Sequence, residues 1–304
     1  MEELREKLFL KYLIMKKLAT LFLFVGLMIS AQNNRVIYEY KYASDSTKID
    51  SLKTEWMYLD INKKGSKYYS KSAFESDSII NESIKKQMAS GMKSISVSRN
   101  RQGGEVSYEV EKTYPDYKIS LITNIGNDTY KVSEDRPINW KISTEKKKIG
   151  EFQTQKATTH FAGRNWIAWF TTDVPIQDGP YKFSGLPGLI VEIADEKNSH
   201  KIELKGLKKI TETVQEEANT QGKDIPFLKK KPIDVNRAKY LKIVAQYEND
   251  PVQGMREVLG RPNSKVMINI NGKEISDPKD ILRELEKNAR EEMKKNNNKI
   301  ELVP

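Results

Sequence analysis

The sequence predicts a mainly β, α+β fold, built as a curved antiparallel meander or half-open barrel with one early helix and C-terminal helices. Short segments that alternate apolar and polar residues recur through residues 32–211, which is the pattern of half-buried strands. Only residues 76–88 among them have helical spacing, and the composition beyond Thr211 turns polar and then helical. A doubly wound parallel sheet is excluded, because it needs a helix between successive strands.

The first strand pattern is the clearest. Residues 36–42 place Val36, Tyr38, Tyr40 and Tyr42 on one face, since side chains alternate across a strand. Further strands are predicted at residues 55–60, 67–72, 94–99, 105–112, 118–123, 129–132, 138–142, 149–161, 165–171, 189–193 and 201–207. Polar turns separate them, as in an antiparallel meander.

The N-terminus has the pattern of a secretory signal peptide. Residues 15–17 are Met-Lys-Lys, and residues 18–29 form an uncharged apolar run that is shorter than the roughly 20 residues of a membrane span. We therefore expect cleavage between Ala31 and Gln32, with residues 1–14 as an upstream extension. Membrane contact is expected only through this peptide before cleavage, and the mature protein is expected to be periplasmic or secreted.

The rest of the chain divides into three predicted parts. Residues 32–211 form the curved β domain, residues 212–232 a linker or long loop, and residues 233–304 a helical C-terminal region. Asp234 is predicted to cap a helix over residues 235–247. Asp277 followed by proline is predicted to start another helix, because an Asp cap with proline in the first turn is a strong helix start.

Composition and charge restrict the partners. The formal net charge is +10 and there is no cysteine, so disulfides and thiol chemistry are excluded. The lysines are scattered, with the longest basic runs at residues 146–148 and 229–231. A nucleic-acid reader would cluster basic and aromatic residues on one face, so no nucleic-acid partner is expected.

Residues 140–195 are the most informative part of the sequence, because they contain three of the four tryptophans and two turn clusters. The turn residues are Gly179, Pro180, Gly185, Pro187 and Gly188. Proline presets φ for the first central position of a turn and glycine supplies the positive φ of a type II second position. The sequence therefore predicts a type II turn at Pro187 and Gly188.

The hexapeptide at residues 185–190 reads GLPGLI. Together with Gly163-Arg164 and the GPYKF run at residues 179–183, it resembles the GLPGLI family of secreted proteins from Bacteroidetes-type bacteria. The Asn-rich ending at residues 296–302 is similar to that family as well. The resemblance implies a secreted protein, and it implies no reaction.

The sequence offers no catalytic or metal-binding constellation. It has two histidines and no Gly-x-Ser-x-Gly elbow, His-Glu-x-x-His or phosphate-binding loop motif, so no catalytic residue, metal or cofactor is assigned. A carboxylate-dependent hydrolase stays open as an alternative, since two Asp or Glu residues suffice for glycoside hydrolysis. The candidate carboxylates are Asp173, Asp178, Glu192 and Asp195.

Four residues are candidates for ligand binding: Arg164 in the turn between two strands, His160, Trp166 and Trp169. The two tryptophans are three residues apart, so a regular strand points them to opposite faces. One should lie in the core and the other on the second face of the sheet, and parity does not decide between them.

These observations favour a non-enzymatic, exported binding or accessory protein of the envelope. It would cradle an apolar or mixed ligand (a lipid, peptide or glycan) or part of an outer-membrane protein. The alternatives are a carbohydrate-binding or glycan-processing accessory domain and the carboxylate-dependent hydrolase. Ser46 and Ser78 each follow an aspartate and are candidates for O-glycosylation, which glycopeptide mapping would test.

Overall fold

The structure is a computed structural model that describes residues 33–90, 104–210, 231–262, 266–270 and 272–302. The predicted signal peptide, the strand predicted at residues 94–99 and most of the predicted linker lie outside these ranges. The strands are β1 Asn34–Ala43, β2 Leu52–Asn62, β3 Gly65–Ser70, β4 Glu109–Thr113, β5 Lys118–Ile125, β6 Asp128–Ser133, β7 Lys141–Ile149, β8 Phe152–Phe161, β9 Arg164–Thr171, β10 Leu189–Asp195, β11 His200–Lys209, β12 Ile233–Asn236, β13 Ile268–Ile270 and β14 Lys273–Ile275. The helices are α1 Lys71–Ala89, α2 Arg237–Asn249, α3 Gln253–Leu259 and α4 Pro278–Lys295.

Two antiparallel meanders make one unclosed sheet of twelve strands. Strands β1 to β6 are neighbours in chain order, as are β7 to β11, and the pairing of β1 with β11 joins the two halves. The short strand β12 adds to β6 in parallel, and β13 with β14 forms a separate hairpin. The predicted fold class is confirmed, with β12 as the parallel exception.

One face of the sheet builds the core. The alternation predicted for β1 is confirmed, because its tyrosines at positions 38, 40 and 42 are buried. Val132, near one edge of the sheet, and Ala157, near the other, belong to the same buried cluster, so the sheet curves around a common interior.

The chain itself fills that interior with the segment between β9 and β10, residues 174–188, which we call the inner segment. Phe183 and Leu186 of this segment have no exposed surface. The Phe183 ring packs against the rings of Trp166, Phe161 and Trp140 at centroid distances of 4.8, 5.9 and 6.1 Å. The interior of the curved sheet, where a ligand was predicted, is thus packed with the protein's own side chains.

Helix starts differ from prediction where a strand precedes them. The early helix α1 begins at Lys71, directly after β3, and Ser70 Oγ accepts a hydrogen bond from the Ala73 backbone nitrogen. The helix α2 begins at Arg237 with Asn236 as its cap, whereas Asp234 was predicted, because residues 233–236 are drawn into β12. The start of α4 is confirmed: Asp277 accepts hydrogen bonds from two backbone nitrogens and proline follows it.

The edge strand β7 is the largest departure among the strands. Residues 149–161 were predicted as a single strand, but a turn at Gly150, with φ +58°, separates β7 from β8. The strand β7 is rich in exposed lysines, because an edge strand with neither face buried shows no apolar alternation, and lysine protects such an edge from unwanted pairing. No helix in the described ranges is long and apolar enough to cross a membrane.

Candidate functional site

The turn residues of the hexapeptide hold the inner segment in place. The Gly188 nitrogen donates to the Leu186 carbonyl at 2.7 Å, which makes a γ-turn around Pro187. Gly188 has the positive φ that was predicted, but at 157° it is far from the roughly +80° of a type II turn, and Gly185 has φ +87°. The prediction of a type II turn was therefore wrong, because proline and glycine here form a tighter turn in which β10 begins immediately.

A buried lysine fastens the inner segment to the first meander. Lys112 of β4 donates to Asp178 Oδ1 at 2.5 Å and to the carbonyls of Gly179 and Phe183 at 2.6 and 3.2 Å. The other oxygen of Asp178 accepts a hydrogen bond from Tyr114. Burial lowers the pKa of Lys112, and the Asp178 charge opposes that shift. Each ammonium proton has an acceptor. Asp178 has no exposed surface, so in this structure its carboxylate contacts only the protein.

Arg164 fastens the C-terminal tail, residues 296–302, to the sheet. Its guanidinium donates to Asp195 at 3.0 Å, to the Asn298 side chain at 2.8 Å and to the carbonyls of Lys299 and Ile300 at 2.5 and 3.1 Å. Burial lowers the pKa of Arg164, although Asp195 raises it. The predicted ligand-binding arginine binds its own chain.

Asp195, Ser199 and His200 lie together without forming a nucleophilic triad. Ser199 donates to Asp195 at 2.8 Å, while the two ring nitrogens of His200 face the Tyr40 hydroxyl at 2.7 Å and the Asn298 carbonyl at 3.1 Å. Burial lowers the pKa of His200 to about 4. A neutral ring that donates from Nε2 and accepts at Nδ1 satisfies both contacts. The base therefore faces a tyrosine instead of the serine.

A second buried ionic network ties the tail to the inner segment. Lys182 contacts Glu134 at 2.7 Å and Glu301 at 2.5 Å, and Arg136 contacts the same two carboxylates at 2.7 and 2.9 Å. Tyr181 also donates to Glu301. Burial alone would raise the pKa of Glu134, but hydrogen bonds from Arg136 and Lys182 lower it to about 2. Glu134 is therefore ionised, and both acids are paired within the fold.

The four carboxylates proposed for a hydrolase do not meet. Asp178 and Asp195 are buried in the two separate clusters described above, and Asp173 is exposed beyond β9. Glu192 lies on the opposite face of β10 from Asp195, as their spacing of three residues requires. Within the described residues, no group of His, Cys, Asp or Glu is placed to hold a metal ion.

The outer face of the sheet, opposite the core, carries the candidate binding surface. Its members stand opposite one another on six adjacent strands and form one row. In order they are Trp56 of β2, Glu39 of β1, Glu203 of β11, Glu192 of β10, Trp169 of β9 and Lys156 of β8. We call the three central acids the carboxylate row.

Lysines bridge the carboxylate row. Lys205 contacts Glu39 at 3.4 Å and Glu203 at 2.6 Å, and Lys201 contacts Glu203 at 3.5 Å and Glu192 at 2.8 Å. Burial alone would raise the pKa of Glu203 and of Glu192, but hydrogen bonds from these lysines, and from Lys147 to Glu192, lower both. The lysines thereby offset the repulsion between like charges on neighbouring strands.

The two tryptophans at the ends of the row differ in exposure. Trp56 is 42% exposed, whereas Trp169 is 7% exposed. The Lys147 ammonium covers the Trp169 ring at 4.1 Å, and the Lys156 ammonium lies 5.9 Å away. Trp166, on the core face of the same strand, is 1% exposed. Its indole nitrogen donates to the Phe161 carbonyl.

The remaining sequence candidates lie at the surface. His160 is exposed on the outer face, with Nδ1 2.9 Å from the Asn165 side-chain oxygen. Ser46 is exposed in a turn, while the Ser78 hydroxyl in α1 donates to the Phe74 carbonyl. Glycosylation of either serine stays a prediction. Trp56 was missed as a candidate, although its alternation with Met57 and Leu59 indicated that it points outward.

Comparisons with known proteins identify one family model that matches a short segment and two solved structures with a distant resemblance. The model of a family described as a protein of unknown function, Porph_ging, matches residues 162–192. No curated protein matches the chain. Two crystal structures of PNGF-II, in space groups C2 and P21, are each 15% identical to this chain, with a TM-score of 0.47. Each alignment covers 71% of this chain, but only 33% and 34% of the PNGF-II chains, so this chain spans about a third of their length.

Proposed function

We propose that this chain is an exported accessory protein of the GLPGLI type that binds a glycan on the outer face of its sheet. The observation that carries the proposal is the exposure of Trp56 beside the carboxylate row. A large aromatic ring at the surface is an amphipathic platform. Sugar rings present apolar C–H faces that stack on such a platform and hydroxyl groups that need donors and acceptors.

The neighbours of Trp56 supply those donors and acceptors. Glu39 stands opposite Trp56 on the next strand, and Lys41 and Lys205 contact Glu39 at 3.2 and 3.4 Å. Carboxylates accept hydrogen bonds and ammonium groups donate them. A hydroxyl-rich ligand can therefore exchange hydrogen bonds with both kinds of group, which an apolar ligand cannot do.

A glycan on the outer face is favoured over an apolar ligand in the interior. The inner segment occupies the interior, and its phenylalanine and leucine are fully buried there. The Lys112 contacts hold the inner segment in this space, and the Arg164 contacts hold the C-terminal tail against the sheet. An interior ligand would have to displace packed aromatic side chains. A ligand on the outer face can bind without displacing them.

The family assignment and the export rest on other features. The segment matched by the family model, residues 162–192, includes the hexapeptide as far as Ile190 and also Arg164. The basic residues and apolar run before Ala31 support export through a cleaved signal peptide. We expect mature protein isolated from the native envelope to begin at Gln32, as read by intact mass and N-terminal analysis. A mature N-terminus at Met1 or Met15 would contradict export by this route.

The Trp56→Ala substitution tests the binding site. We expect it to weaken the binding of mature protein to glycans on an array at least about tenfold, equivalent to about 1.4 kcal/mol. Because Trp56 lies outside the core cluster and is 42% exposed, the free energy of unfolding should change by less than about 2 kcal/mol. Isothermal titration with the glycan that gives the strongest array signal measures the first quantity, and urea unfolding measures the second.

A matched control is available on the same strand. Leu52 is 45% exposed but lies outside the carboxylate row, so Leu52→Ala should leave glycan binding unchanged. Equal losses for both variants would indicate general surface hydrophobicity. If wild-type protein retains no glycan and instead captures an outer-membrane protein, the glycan proposal is wrong.

A further inference from the structure

We propose that Trp169 is a second stacking position on the outer face, and that the ligand is a linear oligosaccharide long enough to reach from Trp56 to Trp169. In this arrangement Lys147 covers the second position and moves aside when the chain binds. The inference rests on the proposed function, and it adds the length of the ligand and a residue that controls access.

The strand order sets the separation of the two rings. Trp56 and Trp169 face the same side of the sheet and are separated by the three strands that carry the carboxylate row. Adjacent strands lie about 4.8 Å apart, so the two rings are about 19 Å apart. A single sugar can contact one ring only, whereas an extended chain crossing the strands can contact both.

The surface between the rings suits a repeating hydroxyl-rich chain. Glu39, Glu203 and Glu192 follow one another at every strand step, with Lys205 and Lys201 between them. Acceptors and donors therefore alternate along the line that joins the tryptophans. The side chains of Glu39 and Glu192 are 16% and 14% exposed, so a ligand lying on the surface can contact them without opening the core.

Lys147 is suited to act as a removable cover. It belongs to the edge strand β7, its side chain is 41% exposed, and its ammonium is held by Glu192 at 2.9 Å and by the Trp169 ring. Glu192 is only 14% exposed, but Lys201 also contacts it at 2.8 Å, so its carboxylate stays paired when the flexible Lys147 side chain leaves the ring. A sugar hydroxyl at Glu192 would take over the hydrogen bond that Lys147 gives up.

The experiment measures affinity against ligand length. The probe is the glycan that binds best on the array, partially hydrolysed and separated by size from single sugars to long fragments. For wild-type protein we expect a sharp rise in affinity, about tenfold or more, once fragments span both tryptophans. Lys147→Ala should bind long fragments about threefold more tightly, because the ring is already uncovered, and should leave short fragments unchanged.

Two variants separate a binding role of Trp169 from a structural one. Trp169→Leu keeps an apolar side chain under the lysines but removes the flat ring, so it should lose the length-dependent gain and keep the affinity for short fragments. Lys148→Ala, the neighbouring lysine on β7, should behave as wild type. The melting temperature of each variant shows whether the fold is intact.

The outcomes distinguish this inference from the proposed function. If affinity does not rise with length, or if Trp169→Leu and Lys147→Ala bind every fragment as wild type does, the second position is wrong. The dependence on Trp56 then still supports glycan binding at the first position. If no glycan binds and Trp56→Ala has no effect, both proposals are wrong.

Discussion

Gly188→Ala should lower the free energy of unfolding by about 3–4 kcal/mol, although it adds a single methyl group. A Cβ atom at this position would lie 1.9 Å from the Thr171 carbonyl oxygen and 2.7 Å from its carbon. These are backbone atoms at the end of β9, where Thr171 pairs with Leu189. Relief of the clash requires β9 and β10 to separate. Urea unfolding of the wild-type protein and of Gly188→Ala measures the difference in the free energy of unfolding.

Gly185→Ala is the matched control within the same hexapeptide. Gly185 has φ +87°, but nothing lies within 4 Å of a Cβ atom built there. Its substitution should cost only the strain of a left-handed alanine, about 1 kcal/mol. Asparagine at position 188 should be no milder than alanine, because the Cβ atom itself makes the clash. Equal costs at the two positions would show that the strands yield, and that the glycine serves something other than close approach.

The sheet could be predicted because most of its strands show alternation of apolar and polar residues within their own sequence. In β2, Met57 and Leu59 alternate with Trp56 and Tyr58. Met57 and Leu59 belong to the core cluster, whereas Trp56 and Tyr58 do not. Alternation of apolar and polar residues depends on one buried face of the strand. The extent of β7 was therefore not predicted, because its exposed lysines show no alternation. The strand at residues 233–236 was not predicted either. It forms by pairing with β6, which lies about a hundred residues earlier in the chain.

The roles of the candidate residues could not be predicted, because they depend on contacts between distant parts of the chain. Arg164 looked like a ligand-binding residue in a turn, but its partners Asn298 and Lys299 lie in the C-terminal tail. Asp178 looked like a catalytic carboxylate, and its partner Lys112 lies on another meander. Both residues have structural roles because they are buried with their partners. The pattern of neighbouring residues in the sequence does not reveal that burial.

Arg164→Met should lower the free energy of unfolding by about 3–5 kcal/mol, because it removes one partner of a buried ion pair and leaves the other. The Arg164 and Asp195 side chains are 5% and 3% exposed. Without the guanidinium, Asp195 keeps only hydrogen bonds from Ser199 and His200. Two tail carbonyls lose their donor at the same time. Urea unfolding gives the size of the loss, and hydrogen exchange at residues 298–302 reports the release of the tail.

The exposed pair of Arg256 with Asp250 is the control, since both side chains are more than a third exposed and such pairs contribute about 0–1 kcal/mol. Arg256→Met should therefore be nearly neutral. Arg164→Lys should be almost as damaging as Arg164→Met, because an ammonium cannot reproduce the guanidinium fork that joins Asp195 to the tail. If Arg164→Lys is neutral, or if the tail stays protected in Arg164→Met, the arginine does not hold the tail. Ligand binding would then again be a candidate role for Arg164.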